Sequence, residues 1–210
     1  MLECRDLTCV RGDRPLFEKV SFALVPGGAL HIVGANGSGK TSLMRLICGL
    51  SAPADGDVYW QGEKIRSLRE DFSRQLIYVG HAPAVKDDLT PVENLQTSCR
   101  LSGLPVGTPD AREALARIGL AGREDLPTKV LSQGQRRRVV LARLLLATRV
   151  PLWVLDEPFT ALDKQAVNGL RQTIDAHVHE QGMVIYTTHQ DVELAPGRTQ
   201  RLDLDAAAPC

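Results

Sequence analysis

Eight consecutive residues have the types and spacing that phosphate binding requires. The run Gly34-Ala35-Asn36-Gly37-Ser38-Gly39-Lys40-Thr41, followed by Ser42, fits the pattern G-x-x-x-x-G-K-[ST]. Glycines let such a loop turn its backbone N–H groups toward an anion. Lys40 would reach the terminal phosphates of a nucleotide, and Thr41 would help to hold Mg²⁺. A glycine turn that only joins a strand to a helix is the alternative, but the complete set of fixed positions favours phosphate binding.

Two adjacent carboxylates follow an apolar run far downstream. Residues 151–157, Pro-Leu-Trp-Val-Leu-Asp-Glu, predict a buried parallel strand that delivers Asp156 and Glu157 to the carboxyl edge of a sheet. Neighbouring side chains on an extended chain point in different directions. Asp156 could therefore support Mg²⁺ while Glu157 orients and deprotonates an attacking water. Solvated acids at a strand end are the alternative, which the phosphate-binding loop makes less favoured.

A histidine stands at the end of the next apolar run. Residues 183–188, Met-Val-Ile-Tyr-Thr-Thr, predict another buried strand, and His189 follows it directly. If this strand lies parallel to the strand that ends at Asp156, His189 reaches the same edge of the sheet and would contact the terminal phosphate. The alternative is a structural or exposed histidine, and the choice depends on the order of the strands.

A second phosphate-handling segment is Leu131-Ser132-Gln133-Gly134-Gln135. Ser132 and Gln135 have the spacing of a capping box before an apolar helix. Because a helix N-terminus offers free N–H groups and positive potential, the same residues can cap a helix and hold a phosphate. Residues 136–138 are all arginine. They form either a solvated face of the helix or a local positive charge that acts on a phosphate or at an interface.

An alternation of strands and helices must position these segments. Strand-like patterns lie near 2–10, 20–25, 29–33, 56–61, 76–79, 151–155, 183–188 and 199–204, and helical patterns near 40–50, 91–102, 109–119, 133–148 and 164–180. Together they predict an α/β core that is interrupted by a mainly helical insertion from about 82 to 130. Thr90-Pro91-Val92-Glu93 and Thr108-Pro109 mark helix starts in this insertion, and residues 103–107 separate the two helices.

The composition limits the classes of function. Lys+Arg and Asp+Glu both number 25, so nothing indicates a general affinity for nucleic acid or anionic lipid. Five cysteines without C-x-x-C spacing (Cys4, Cys9, Cys48, Cys99 and Cys210) favour reduced thiols in a cytoplasmic compartment. No apolar stretch approaches the roughly 18 residues that span a bilayer, and the first residues lack the pattern of a signal peptide. We therefore expect a soluble chain that is not exported.

In order and spacing, these motifs resemble those of the ATP-binding-cassette (ABC) ATPases over essentially the whole chain. The resemblance is carried by residues 34–41, 131–135, the pair Asp156-Glu157, residues 161–163 (Ala-Leu-Asp) and His189. It implies an α/β fold with a P-loop NTPase (RecA-like) core, an antiparallel β subdomain and a helical subdomain. The single domain 1–210 would divide into a nucleotide-binding core with the β subdomain (1–81 and 131–210) and a helical subdomain (82–130).

The resemblance also implies the cofactors, the roles of residues and a dimer. ATP and Mg²⁺ would be bound, with Lys40, Glu157 and His189 as catalytic residues and with Thr41 and Asp156 at the metal. In that family the segment 131–135 faces the ATP of the opposing subunit. Ser132, Gly134 and Gln135 would therefore complete the site of the other protomer in a homodimer.

Two positions depart from the usual pattern of the family. Arg11 replaces an adenine-stacking aromatic residue, and a guanidinium plane can also stack on a base. His81 replaces a glutamine that normally connects the Mg²⁺-nucleotide site with the transport subunit. A neutral imidazole can accept a hydrogen bond from Mg²⁺-bound water, but oxygen is the better ligand for this cation.

The segment from Tyr78 to Leu95 is similar to that of the ATPase subunits of cytochrome c maturation, or haem export. This similarity implies a peripheral ATPase at the cytoplasmic face of the inner membrane, with integral membrane subunits as direct partners and haem-handling maturation proteins as indirect ones. No C-x-x-C-H motif is present. The alternatives are an ATPase subunit of another ABC importer or exporter, or an ABC ATPase of DNA or translation processes; the short, neutral chain argues against a nucleic-acid partner.

Overall fold

Two sheets with different strand directions make up the β structure of residues 1–207, the part of the chain that the computed structural model describes. The antiparallel sheet contains β1 (Leu2–Arg11), β2 (Arg14–Leu24), β4 (Asp55–Trp60) and β5 (Glu63–Lys64), in the order β2-β1-β4-β5. The parallel sheet contains β3 (Ala29–Val33), β6 (Leu76–Val79), β7 (Leu152–Asp156), β8 (Met183–Thr187) and β9 (Thr199–Asp203), in the order β6-β7-β8-β3-β9. The predicted α/β class with an antiparallel β part is confirmed.

The parallel sheet is covered on both faces, as a sheet of this type requires. Every residue of β7 and β8 is buried. Val154 and Ile185 belong to the apolar core on one face, whereas Trp153 and Val184 belong to the core on the other. Each large apolar side chain that is fully buried stabilises the fold by about 1.5–3 kcal/mol relative to an exposed one. The sheet is therefore a rigid platform for the residues at its carboxyl edge.

Seven α-helices accompany these strands within residues 1–207. They are α1 (Lys40–Ile47), α2 (Ile65–Leu68), α3 (Glu70–Ser73), α4 (Pro91–Leu101), α5 (Thr108–Leu115), α6 (Gln133–Leu146) and α7 (Lys164–His179). A π-helical turn, Ala116–Leu120, continues α5, and short 3-10 helices span Thr128–Val130 and Asp205–Ala207. Thr90 caps α4 in a capping box with Glu93, as the sequence predicts.

A third apolar core holds the helices of residues 82–130 together. It joins Val92 and Leu95 of α4 to Leu115 of α5 and to Val139 of α6. Thus α6, which the predicted division assigns to the nucleotide-binding core, also packs against the helices of the predicted helical subdomain. The division at residues 81/82 and 130/131 stays a prediction.

Several boundaries differ from the predicted ones because turns interrupt the periodicity. Strand β2 begins at Arg14, well before the predicted start near 20, since the left-handed Lys19 (φ 52°) breaks the two-residue alternation. Helix α1 ends at Ile47, followed by Gly49 in a left-handed conformation (φ 69°), and the short elements β5, α2 and α3 have no counterpart in the predicted set. The predicted helix 109–119 begins at Thr108 and changes to the π-helical turn after Leu115.

Four cysteines of the described part, Cys4, Cys9, Cys48 and Cys99, are free, as the sequence predicts, and burial raises the pKa of each thiol. Cys210 lies outside the described residues.

Across residues 1–207, the helices are all too short or too polar to traverse a lipid bilayer.

Candidate active site

The phosphate-binding loop, residues 34–41, lies between β3 and α1, in the strand-loop-helix setting that its pattern requires. Gly39 is the N-cap of α1 and has a left-handed backbone (φ 100°). A Cβ atom there would lie 3.0 Å from the ring of Phe17, so a side chain would be crowded as well as strained. The free N–H groups of the first turn of α1, where Lys40, Thr41 and Ser42 lie, give this end of the helix positive potential.

Lys40 stabilises the curved conformation of this loop. Its Nζ atom donates hydrogen bonds to the backbone oxygens of Gly34 (2.7 Å) and Ala35 (2.9 Å). On the other side, the carboxylate of Asp205 accepts a hydrogen bond from the backbone N–H of Ala35 at 2.9 Å. The first part of the loop is therefore fixed by a lysine within the loop and by an aspartate from the end of the described chain.

Asp156 is the centre of a chain of hydrogen bonds, of which the one to Thr41 is part-buried and those through Thr187 are buried. Thr41 Oγ1 donates to Asp156 Oδ2 at 2.8 Å, and Thr187 Oγ1 donates to Asp156 Oδ1 at 2.9 Å. The Thr187 hydroxyl also accepts a hydrogen bond from the backbone N–H of Glu157 at 3.0 Å. Thr187 is not among the residues predicted from the sequence, although its place at the end of an apolar strand, beside Thr188 and His189, is a usable signal.

Glu157 and His189 approach each other at the carboxyl ends of β7 and β8, which are neighbouring parallel strands. His189 Nε2 lies 3.5 Å from Glu157 Oε1, and the backbone N–H of His189 donates to Glu157 Oε2 at 3.3 Å. The interpretation of His189 as a residue of this site requires β7 and β8 to be parallel neighbours. The structure shows that they are. Glu157 also has a left-handed backbone (φ 50°), a strain of about 1–3 kcal/mol of the kind that clusters at active sites.

A cleft of about 700 Å³ opens between these groups. Its lining contains most of the candidate residues: Arg11, Asn36, Gly37, Gly39, Lys40, Thr41, Ser42, His81, Asp156, Glu157 and His189. Ala35 and Ser38 line an adjoining cavity of about 390 Å³ with Arg14 and Asp205, and Gly34 lines neither of these two cavities. Arg11 and His81, the two departures from the usual pattern, thus reach the same cleft as the loop and the two carboxylates.

The comparison with known proteins agrees with this geometry. Residues 17–160 match the family model described as ABC transporter. The chain belongs to the ABC transporter family. The cytochrome c biogenesis ATP-binding export protein CcmA of Nitrosospira multiformis is 53% identical over 203 residues, which cover 97% of this chain and 98% of that protein.

Solved structures of other ABC proteins have the same fold. An ABC transporter ATP-binding protein from Pyrococcus furiosus superimposes with a TM-score of 0.83 at 25% identity, covering 99% of each chain. A dimeric ATP-binding cassette in a post-hydrolysis state, bound to ADP and Pi, has a TM-score of 0.77 at 24% identity, covering 90% of this chain and 88% of that one. As an ABC ATPase, this chain binds ATP and hydrolyses it.

The ABC signature segment, residues 131–135, lies at the exposed end of α6 and contributes no residue to the lining of the cleft of its own chain. Ser132 Oγ accepts a hydrogen bond from the Gln135 N–H, and Gln135 Oε1 accepts one from the Ser132 N–H, so the predicted capping box is present. A Cβ atom on Gly134 would lie 2.4 Å from the backbone oxygen of Ala161. Only glycine allows the loop after Glu157 to pack this closely on the helix.

The three arginines that follow the signature segment have three different environments. Arg136 forms an ion pair with Asp87 at 2.9 Å, and Arg138 forms one with Asp163. Arg137 is only 3% exposed, so the interpretation as a solvated helix face is wrong for this residue. The helical period explains the difference, since residues 137, 141 and 144 share the buried face of α6.

Arg137 reaches the carboxyl edge of the parallel sheet. Its two terminal nitrogens donate to the backbone oxygens of Gly80 (2.7 Å), His81 (3.2 Å), Asp156 (2.9 Å) and Glu157 (2.8 Å). Burial lowers the pKa of the guanidinium, while the charges of Asp156 and Glu157 oppose this shift. The residue touches the backbone of the candidate site without entering the cleft.

Proposed function

We propose that this chain is the ATP-hydrolysing subunit of a membrane ABC transporter complex that powers haem export, or release of a haem chaperone, in the maturation of c-type cytochromes. The observation that carries the proposal is the 53% identity, over nearly the whole chain, with a relative named as a cytochrome c biogenesis ATP-binding export protein. The Tyr78–Leu95 resemblance supports the same assignment. The complex would place the subunit peripherally, at the cytoplasmic face of the inner membrane.

The donor set around Asp156 suits Mg²⁺. The Thr41 hydroxyl and the Asp156 carboxylate lie 2.8 Å apart, and oxygen donors are those that this cation prefers. We propose that Thr41 and Asp156 hold Mg²⁺; when bound, the ion would neutralise charge on the phosphates of ATP. His81 lines the cleft, but its imidazole nitrogen suits the ion less well, so its contribution would be a hydrogen bond to ion-bound water.

Glu157 is the proposed base that accepts a proton from the attacking water. The backbone of His189 fixes one carboxylate oxygen, and the other oxygen lies near the His189 ring. A positioned base contributes about 10²–10⁴ in rate. Lys40 would exchange its bonds to the loop oxygens for the terminal phosphates, and His189 would contact the γ-phosphate. Arg11, at the rim of the same cleft, would stack on the base of the nucleotide.

The placement of the signature segment supports a homodimer. Ser132, Gly134 and Gln135 lie outside the cleft of their own chain, at the exposed N-terminus of a 14-residue helix. In a head-to-tail dimer, the positive potential and free N–H groups of this helix end would face the γ-phosphate held by the other protomer. Each site would then need both chains for full activity.

A groove on another side supports a membrane partner. Leu50 and Leu101, which are 55% and 84% exposed, line a cavity of about 540 Å³, whose charged lining residues are Arg74, Arg100, Arg143 and Glu70. Exposed apolar side chains that flank a groove are typical of a protein interface. We propose that a segment of an integral membrane subunit, with apolar and acidic side chains, binds there.

Affinity isolation tests this assignment. The chain carrying Glu157→Gln, which should trap the ATP-bound state, is isolated from detergent-solubilised membranes, and the bound proteins and pigment are identified. We expect polytopic membrane proteins and the absorption spectrum of haem. Membrane partners without haem would favour another ABC importer or exporter. Hydrolysis that nucleic acid stimulates, without membrane partners, would contradict the proposal.

A further inference from the structure

Arg137 connects three separate segments of the chain through backbone oxygens alone. Gly80 and His81 follow β6, Asp156 and Glu157 are at the end of β7, and Arg137 itself belongs to α6. A buried charged group is costly unless it is well hydrogen-bonded, and here two nitrogens satisfy that requirement with four carbonyl groups. Within residues 1–207, the third nitrogen, Nε, is buried and has no hydrogen-bond partner. A movement of the guanidinium away from the four carbonyl groups would leave more of its buried N–H groups unpaired, which is costly.

We infer that Arg137 is a positioning residue that couples the catalytic edge of its own cleft to the signature segment offered to the other protomer. The inference rests on the proposed dimer. It goes further by naming the group that would make the two nucleotide sites dependent on each other.

The coupling follows from the rigidity of the groups involved. The guanidinium is a planar fork that holds several acceptors in fixed directions. By binding the carbonyls of His81 and Glu157, it fixes the peptide planes from which these two side chains enter the cleft. A shift of either peptide plane must move Arg137 or break one of its hydrogen bonds.

Helix α6 carries such a shift to the signature segment. Arg137 is five residues from Ser132, which corresponds to about 7.5 Å along a helix. Gly134 packs against the backbone of Ala161, in the loop that follows Glu157, so the same helix end is held at a second point. Ordering of Glu157 around a nucleotide would therefore reorient Ser132 and Gln135 toward the nucleotide of the partner.

The test compares variants that differ in hydrogen-bonding geometry. Arg137→Gln removes the charge and most donors, whereas Arg137→Lys keeps the charge but cannot reach four carbonyls at once. Arg143→Gln is the matched control, since it removes another arginine from the same helix, six residues or about 9 Å along the helix from Arg137. Each purified full-length chain is measured for binding of a fluorescent ATP analogue at low protein concentration, for hydrolysis against ATP and protein concentration, and for thermal unfolding.

We expect both Arg137 variants to bind the analogue within about twofold of the wild-type affinity. Cooperativity in ATP should be lost. The maximal rate should fall by about tenfold or more, because a misplacement of about 1 Å at a catalytic site can cost about 10²-fold in rate. Arg143→Gln should keep the cooperativity and the rate of the wild type.

Three results would overturn the inference. The first is wild-type cooperativity in Arg137→Gln, and the second is full rescue by Arg137→Lys, which would make the charge alone sufficient. The third is a parallel loss of nucleotide binding and thermal stability, which would make Arg137 a purely structural residue. A wild-type chain that hydrolyses ATP without cooperativity and independently of its concentration would instead reject the proposed dimer, and the coupling with it.

Discussion

Thr41 Oγ1 donates a hydrogen bond to Asp156 Oδ2 over 2.8 Å, although 115 residues separate the two in the chain. This contact joins the start of α1 to the end of β7, and it brings the phosphate-binding loop to the two carboxylates. Since Glu157 follows Asp156 directly, the proposed base and the proposed metal ligand have fixed positions relative to the phosphates that the loop would bind.

Replacement of Glu157 by glutamine separates binding from hydrolysis. Glutamine has nearly the same shape but cannot accept the proton of water, so ATP affinity should stay within about threefold of wild type while turnover falls by about 10²–10⁴. Nucleotide titration and release of inorganic phosphate measure the two quantities. Glu63→Gln, at an exposed position of β5, is the control. Undiminished steady-state hydrolysis in Glu157→Gln would reject the assignment of the base.

Replacement of Lys40 by alanine should weaken nucleotide binding itself. The change removes the charge expected at the terminal phosphates and the hydrogen bonds to Gly34 and Ala35, which hold the loop. Because charge-assisted hydrogen bonds contribute about 1.5–3 kcal/mol each, we expect at least a tenfold loss of ATP affinity. Calorimetric titration with ATP measures it, with the exposed Lys19→Ala as the control. Equal affinities of the two variants would contradict the role of Lys40.

The parts of the fold that depend on local patterns could be predicted from the sequence. The phosphate-binding loop, the buried strands that end at Asp156 and at Thr187, and both capping boxes each occupy a short stretch whose residue types suffice to identify them. The parallel order of β7 and β8 could only be assumed, yet it decides whether His189 meets Glu157.

The parts that depend on distant contacts could not be predicted. Arg137 has the same residue type as its neighbours, and only the packing of α6 against the sheet edge distinguishes it. Asp205 bonds to the Ala35 N–H across 170 residues, and no local pattern marks that contact. Strand β2 begins six residues early because left-handed residues such as Lys19 conceal its alternation.

Thr187 should contribute to the stability of the fold. Its hydroxyl is buried, donates to Asp156 and accepts from the N–H of Glu157. In Thr187→Val, the Glu157 N–H and one oxygen of Asp156 lose their partner, at a cost of about 1–3 kcal/mol in the free energy of unfolding. Chemical denaturation measures this change. Thr188→Val is the control, because within residues 1–207 the hydroxyl of the half-buried Thr188 accepts one hydrogen bond, from the Gln190 N–H. Similar destabilisation by both variants would contradict this account.

His177 should make the protein less stable in mild acid. Its ring stacks on Trp153 with centroids 3.7 Å apart, and burial lowers its pKa from 6.5 to about 4. Below pH 6.5 the unfolded chain binds a proton that the folded chain does not bind, so the free energy of unfolding should fall by about 1.4 kcal/mol per pH unit until the pH nears 4. Well above pH 6.5, His177 is neutral in both the folded and the unfolded chain, so this loss of stability is absent there.

The variant His177→Phe keeps an aromatic ring beside Trp153 and removes the titrating group. Urea denaturation at several pH values between 4 and 7 should therefore give a shallower dependence on pH for this variant than for the wild type. The difference between the two curves should grow toward low pH, to no more than about 3 kcal/mol, because linkage limits it to the shift of one group. Parallel curves would mean that His177 is not the group whose protonation opposes folding.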